Sequence, residues 1–97
     1  MPGPQVTETV SREGVLALFS RHNLGVLRTE TESTPNGPIF WRLFLDQNGT
    51  LLHFQERAGR LTFATLEHYM TSDPALVETT CAVLEKAGWE IDSENVG

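Results

Sequence analysis

Aromatic rings, arginines and polar side chains alternate between residues 40 and 60 in a pattern suited to holding another molecule. Phe40, Arg42 and Phe44 recur every second residue, as do His53, Gln55 and Arg57, and Arg60 follows closely. A period of two puts such residues on one side of extended chain. Guanidinium groups beside aromatic rings grip carboxylates and phosphates through paired hydrogen bonds, or stack on flat bases. Arg42, Arg57 and Arg60 are three of the seven cationic side chains in a chain of net charge -6, so the set is expected to form a local positive spot. The plainer alternative is that Arg42 and Arg57 balance Asp46 and Glu56 and lay their aliphatic stems over the phenylalanines.

Other reactive side chains are scattered. The three histidines, His22, His53 and His68, show no short spacing that would aim two imidazoles at one metal, so no metal site is expected. Cys81 is the only cysteine, which rules out an intrachain disulfide, and it reads as a small packed residue on a helix flank. Glu30, Glu32, Glu90, Asp92 and Glu94 alternate with other residues as edge and tail carboxylates do. The chain has no glycine pattern for a phosphate loop or a dinucleotide. No catalytic residue and no cofactor is assigned.

Charge and length narrow the classes further. Ninety-seven residues with 39% hydrophobic content suit one domain spanning 1–97. The longest apolar run is Val15–Phe19, too short for a membrane span, and no basic stretch leads into a hydrophobic segment, so a cytoplasmic protein is expected. The negative charge disfavours polyanionic partners.

The elements that must position the alternating set follow from periodicity. Residues 1–9 carry two prolines and a glycine and are expected to be a disordered lead-in, and 93–97 a mobile tail. Ser11 caps a first helix whose stripe is Val15, Leu18, Phe19 and His22, and Asn23 and Gly25 end it. Gly25–Thr31 reads as an edge strand. Ile39–Asp46 is the strongest strand, followed by Asn48-Gly49 as a two-residue type I′ turn that pairs Leu43 with Phe54 and Arg42 with Gln55. A second such turn at Ala58-Gly59 pairs Arg57 with Arg60, Glu56 with Leu61, Phe54 with Phe63 and Leu52 with Thr65. Like charges facing across a hairpin are destabilising unless an acidic group lies between them.

The two turns together place Ile39, Trp41, Leu43, Leu45, Leu52, Phe54, Leu61 and Phe63 on a core face. Leu51 and Leu66 join Phe40, Phe44 and the arginines on the other. Glu67–Ser72 connects to a second helix opened by Asp73 and Pro74, striped by Leu76, Val77, Thr80, Val83, Leu84 and Ala87, and closed by Gly88. Trp89 and Ile91 then alternate with acids, as a short fifth strand or an extended tail would. The expected fold is α+β: a four-stranded antiparallel meander, five if that segment joins, with two helices packed on one face in the order αββββα.

On this reading the chain is a non-enzymatic protein-interaction or regulatory module. It binds a protein partner, or a second copy of itself as a homodimer, through Phe40, Arg42, Phe44, His53, Gln55, Arg57 and Arg60. The alternatives are single-stranded nucleic acid or a nucleotide on the same face, or a small enzyme with His53 or His68 as its base. A membrane partner is not expected.

Overall fold

The computed structural model describes residues 10–95, without the side chains of Phe63 and Asn95. The expected lead-in at 1–9 and residues 96–97 lie outside that range. Helix α1 (Arg12–Arg21) starts where Ser11 accepts a hydrogen bond from the Gly14 amide, and Asn23 beyond its end adopts a left-handed φ of 58°. Strands β1 (Arg28–Ser33), β2 (Ile39–Phe44), β3 (Leu51–Arg57) and β4 (Arg60–His68) then form an antiparallel meander. Helix α2 (Pro74–Lys86) opens on the Asp73 carboxylate, which accepts from the Ala75 amide, and Gly88 past its end has φ 105°. Strand β5 (Ile91–Asn95) follows, so the described elements run αββββαβ.

The sheet is mixed rather than wholly antiparallel. β5 lies parallel to β4, with Ala64 beside Ile91 and His68 beside Asn95, because α2 carries the chain back to the end from which β4 began. Ser93–Asn95, expected in a mobile tail, therefore belong to the sheet.

Both hairpin registers depart from expectation, with opposite consequences. The β2–β3 connection is a four-residue loop, Asp46–Gly49, and not the two-residue turn at Asn48-Gly49. Leu43 pairs with Leu52, Trp41 with Phe54, and Arg42 with His53. Asp46 is the cause: its Oδ1 accepts from the Asn48 and Thr50 amides at 2.9 and 3.0 Å, and its Oδ2 from the Thr50 hydroxyl at 3.0 Å. A side chain that satisfies its own loop's amides makes the longer turn the cheaper one. The register moves by two residues, which leaves every side chain on its expected face.

The β3–β4 hairpin does turn at Ala58-Gly59, with φ of 54° and 79°, and pairs Arg57 with Arg60 and Glu56 with Leu61. Beyond Leu61 a bulge leaves Thr62 without a partner. Gln55 then pairs with Phe63, Phe54 with Ala64, and Leu52 with Leu66. One extra residue exchanges the faces downstream, so Ala64 and Leu66 enter the core, Leu66 having been expected on the other face, while the expected core side chain of Phe63 lies outside the described ones.

The resulting core joins Val15, Leu18 and Phe19 of α1 and Val83 and Leu84 of α2 to Trp41, Leu43, Leu52, Phe54, Ala64 and Leu66. Trp89 packs edge-on to Phe54, their ring centroids 5.4 Å apart. Both helices thus lie on the Trp41 face, as expected. His22, placed on the helix stripe by its spacing, is the exposed cap residue instead. The molecule measures 37 × 35 × 20 Å, its short dimension that of one sheet and one helical layer.

Candidate functional site

The face of the sheet turned away from the helices is where the register collects the alternating set. It crosses the strands in three rows. Arg28, Phe44, Leu51, Glu67 and Glu94 form the first; Glu30, Arg42, His53, Thr65 and Asp92 the second; Glu32, Phe40 and Gln55 the third. Arg57 and Arg60 lie one step further, at the hairpin end. All seven expected binding residues fall on this side. Phe40, Arg42, Phe44, His53 and Gln55 are partly exposed, whereas Arg57 and Arg60 are open to solvent. Leu51 lies low between its neighbours, and Leu66, expected here, belongs to the core.

The face is not a positive spot. Arg42 Nη2 holds Glu32 at 2.6 Å, and Arg28 pairs with Glu30 while its guanidinium lies 3.9 Å from the Phe44 ring centroid. Five carboxylates stand among the four arginines, because β1 and β5 bring acids that the reading of the central strands alone did not weigh. The assumed balance of Arg42 by Asp46 and of Arg57 by Glu56 is not formed. Asp46 is committed to its loop, and Glu56 points to the opposite face, where it binds Arg12.

His53 stands at the centre of a polar chain across four strands. Arg42 Nε donates to Nδ1 at 3.3 Å, which requires that nitrogen to be bare and leaves the ring proton on Nε2. Nε2 is 2.8 Å from Glu67 Oε2, but the carboxylate oxygen lies off the N–H line, so the contact is close without being a well-aligned hydrogen bond. Both imidazole nitrogens thus face protein groups. Phe40, His53, Gln55, Thr65, Glu67 and Glu94 line a groove of about 290 Å³ running beside this chain.

The remaining candidates for chemistry lie elsewhere and apart. His22 is at the end of α1, His68 at the end of β4, and Cys81 on α2. Burial, reinforced by the nearby Glu85 charge, pushes the Cys81 thiol up from its ordinary pKa. Among the described residues no three His, Cys, Asp or Glu side chains are gathered as metal ligands, and no helix is long and apolar enough to cross a membrane.

Sequence reasoning missed a second polar cluster beneath the β2–β3 loop. The Thr50 hydroxyl, fully buried, donates to Asp46 or to Ser72 Oγ 2.6 Å away, and Ser72 Oγ accepts from the Tyr69 amide at 2.9 Å. Tyr69 covers Gly49 (φ 93°), where an added Cβ would come within 2.8 Å of the ring. The cluster is internally satisfied and ties the loop to the start of α2. No family model, no curated protein and no solved structure matches this chain, so its uncovered sheet face stands as the basis for a functional reading.

Proposed function

We propose that this chain is a non-enzymatic protein-interaction module that holds a partner on the uncovered face of its sheet. The carrying observation is the asymmetry of the two faces: α1 and α2 both pack on the Trp41 side, and no described element covers Phe40, Phe44 and the groove beside them. A sheet with rings on its open side loses little more by burying them in an interface, since half-buried aromatic area still gains from leaving water.

The polar groups favour binding over catalysis. His53 lines the groove, but both its ring nitrogens are turned to Arg42 and Glu67, so its role is to brace the strands. The mixture of carboxylates and arginines suits a protein surface better than a phosphate backbone, which would meet Glu30, Glu32 and Glu94 as well as the cations.

The test is capture from extract of the source cells by the immobilised chain, compared with Phe40→Glu and, as control, Glu13→Ala on the exposed side of α1. Far-ultraviolet circular dichroism and a urea midpoint establish that each variant is folded. At least one protein retained by the parent and by Glu13→Ala should be lost with Phe40→Glu. Identical sets from all three overturn the proposal.

A further inference from the structure

We infer that Asn36 is a site of spontaneous covalent modification, converted by the neighbouring Gly37 amide to aspartate and isoaspartate, and that the fold protects the chemically identical pair Asn48-Gly49. The inference is independent of the binding role proposed above. Two of the four asparagines precede a glycine, and only there is the following backbone nitrogen unshielded by a side chain. In such a pair the glycine nitrogen attacks the asparagine Cγ. A C–N bond forms, the bond from Cγ to the amide NH2 breaks, and ammonia leaves with the proton that the attacking nitrogen gives up. Water then opens the five-membered ring, at Cγ to give aspartate or at the backbone carbonyl to give isoaspartate.

The reaction needs the peptide between the two residues to turn until its nitrogen faces Cγ, so its rate is set by how freely that peptide moves. At Asn48 the peptide is held. Its carbonyl accepts from the Thr71 hydroxyl at 3.3 Å, the Asn48 amide before it donates to Asp46 Oδ1 at 2.9 Å, and the Thr50 amide after it donates to the same oxygen at 3.0 Å. Gly49 in turn lies beneath the Tyr69 ring. At Asn36 the restraint is missing. The loop 34–38 joins β1 to β2, is closed by the Thr34 hydroxyl donating to the Pro38 carbonyl at 3.0 Å, and leaves Asn36 and Gly37 exposed. Among the described residues no hydrogen bond reaches the Asn36 carbonyl or the Gly37 amide. Breaking one or two hydrogen bonds to reach the reactive geometry slows Asn48 by at least about tenfold relative to Asn36.

The reactive loop stands at one end of the uncovered face, where Ser33 pairs with Ile39 and Glu32 with Phe40. Each conversion adds a carboxylate there, and isoaspartate also lengthens the backbone by a carbon atom. The border of the face beside Phe40 therefore changes with the age of the molecule.

Trypsin separates the two sites, since cleavage after Arg28, Arg42 and Arg57 puts Asn36 in the peptide 29–42 and Asn48 in the peptide 43–57. The folded chain is aged at mildly alkaline pH and sampled over time. Liquid chromatography with mass spectrometry resolves each peptide into its amide, aspartate and isoaspartate forms. Acid forms should accumulate in 29–42 at least about tenfold faster than in 43–57. In urea that unfolds the chain the two rates should converge, because both pairs then react as free peptide. Thr71→Ala, at an exposed position, should speed Asn48 several-fold while leaving Asn36 unchanged, and Asn36→Ser should abolish the acid forms of 29–42. Equal rates in the folded chain overturn the inference, as do a folded Asn36 that keeps its amide, a difference that persists in urea, or an Asn48 that reacts no faster with Thr71→Ala.

Discussion

Arg12→Ala should destabilise the protein far more than its position on a helix surface suggests. Arg12 grips Glu56 with two nitrogens, Nε to Oε2 at 3.1 Å and Nη2 to Oε1 at 2.5 Å, and its guanidinium lies 5.5 Å from the Trp41 ring centroid. Glu56 is only 8% exposed, on the core face between Ile39 and Leu61. Removing one partner of a buried pair costs about 3 to 5 kcal/mol, because the remaining charge stays desolvated. Arg12 retains 31% of its side-chain exposure, so solvent screening reduces the figure to about 2 kcal/mol. In urea, with a slope of about 1 kcal/mol per molar, the midpoint should fall by roughly 2 M. Glu56→Leu alone should be milder, because the freed arginine can turn to water and leucine suits the site. The double variant Arg12→Ala with Glu56→Leu should recover at least about 1 kcal/mol relative to Arg12→Ala. If the double variant loses the sum of the two single losses, the stranded carboxylate is not the cause and the reasoning fails.

Two further outcomes can be checked directly. Ala58 holds a left-handed φ of 54° at the first turn position, so Ala58→Asn should stabilise the hairpin by about 1 kcal/mol, read as a higher urea midpoint; an unchanged or lower midpoint refutes the assigned turn strain. The raised pKa of Cys81 means less thiolate at a given pH, so iodoacetamide should modify it more slowly than free cysteine at pH 8, with the rate still rising at pH values where the free thiol has levelled off. Glu85→Gln should shift that profile to lower pH, and a Cys81 as reactive as free cysteine contradicts the burial that raises it.

The elements, and which side chains of the central strands share the uncovered face, were legible from periodicity, while the pairing was not. Capping by Ser11 and Asp73, the left-handed Asn23 and the Ala58-Gly59 turn are local effects, decided within a few residues and readable there. The β2–β3 register depends on Asp46 bonding forward to Thr50, a competition between turn types that composition does not resolve. It happened to shift by an even number, which spared the face assignment. The Thr62 bulge shifted by an odd number and turned Ala64 and Leu66 into the core, with no residue in the turn to announce it. The charge of the candidate site was misjudged for a different reason. Four of its five carboxylates come from β1 and β5 and the fifth, Glu67, from β4, and their proximity to Arg42 and His53 exists only once the whole sheet is assembled.

The parallel placement of β5 has a consequence for the order in which the protein can form. The meander from β1 to β4 is stitched by neighbours in sequence, and such contacts close quickly because their loops are short. β5 is joined to β4 through α2 and its flanking turns, so their pairing closes a longer loop than any hairpin of the meander. Until it arrives, Ala64–His68 presents bare amides and carbonyls along β4, the kind of edge that recruits strands from other chains. Without β5 in place, the Ala64–His68 edge, and not the aromatic face, would be the open hydrogen-bonding rim of the sheet.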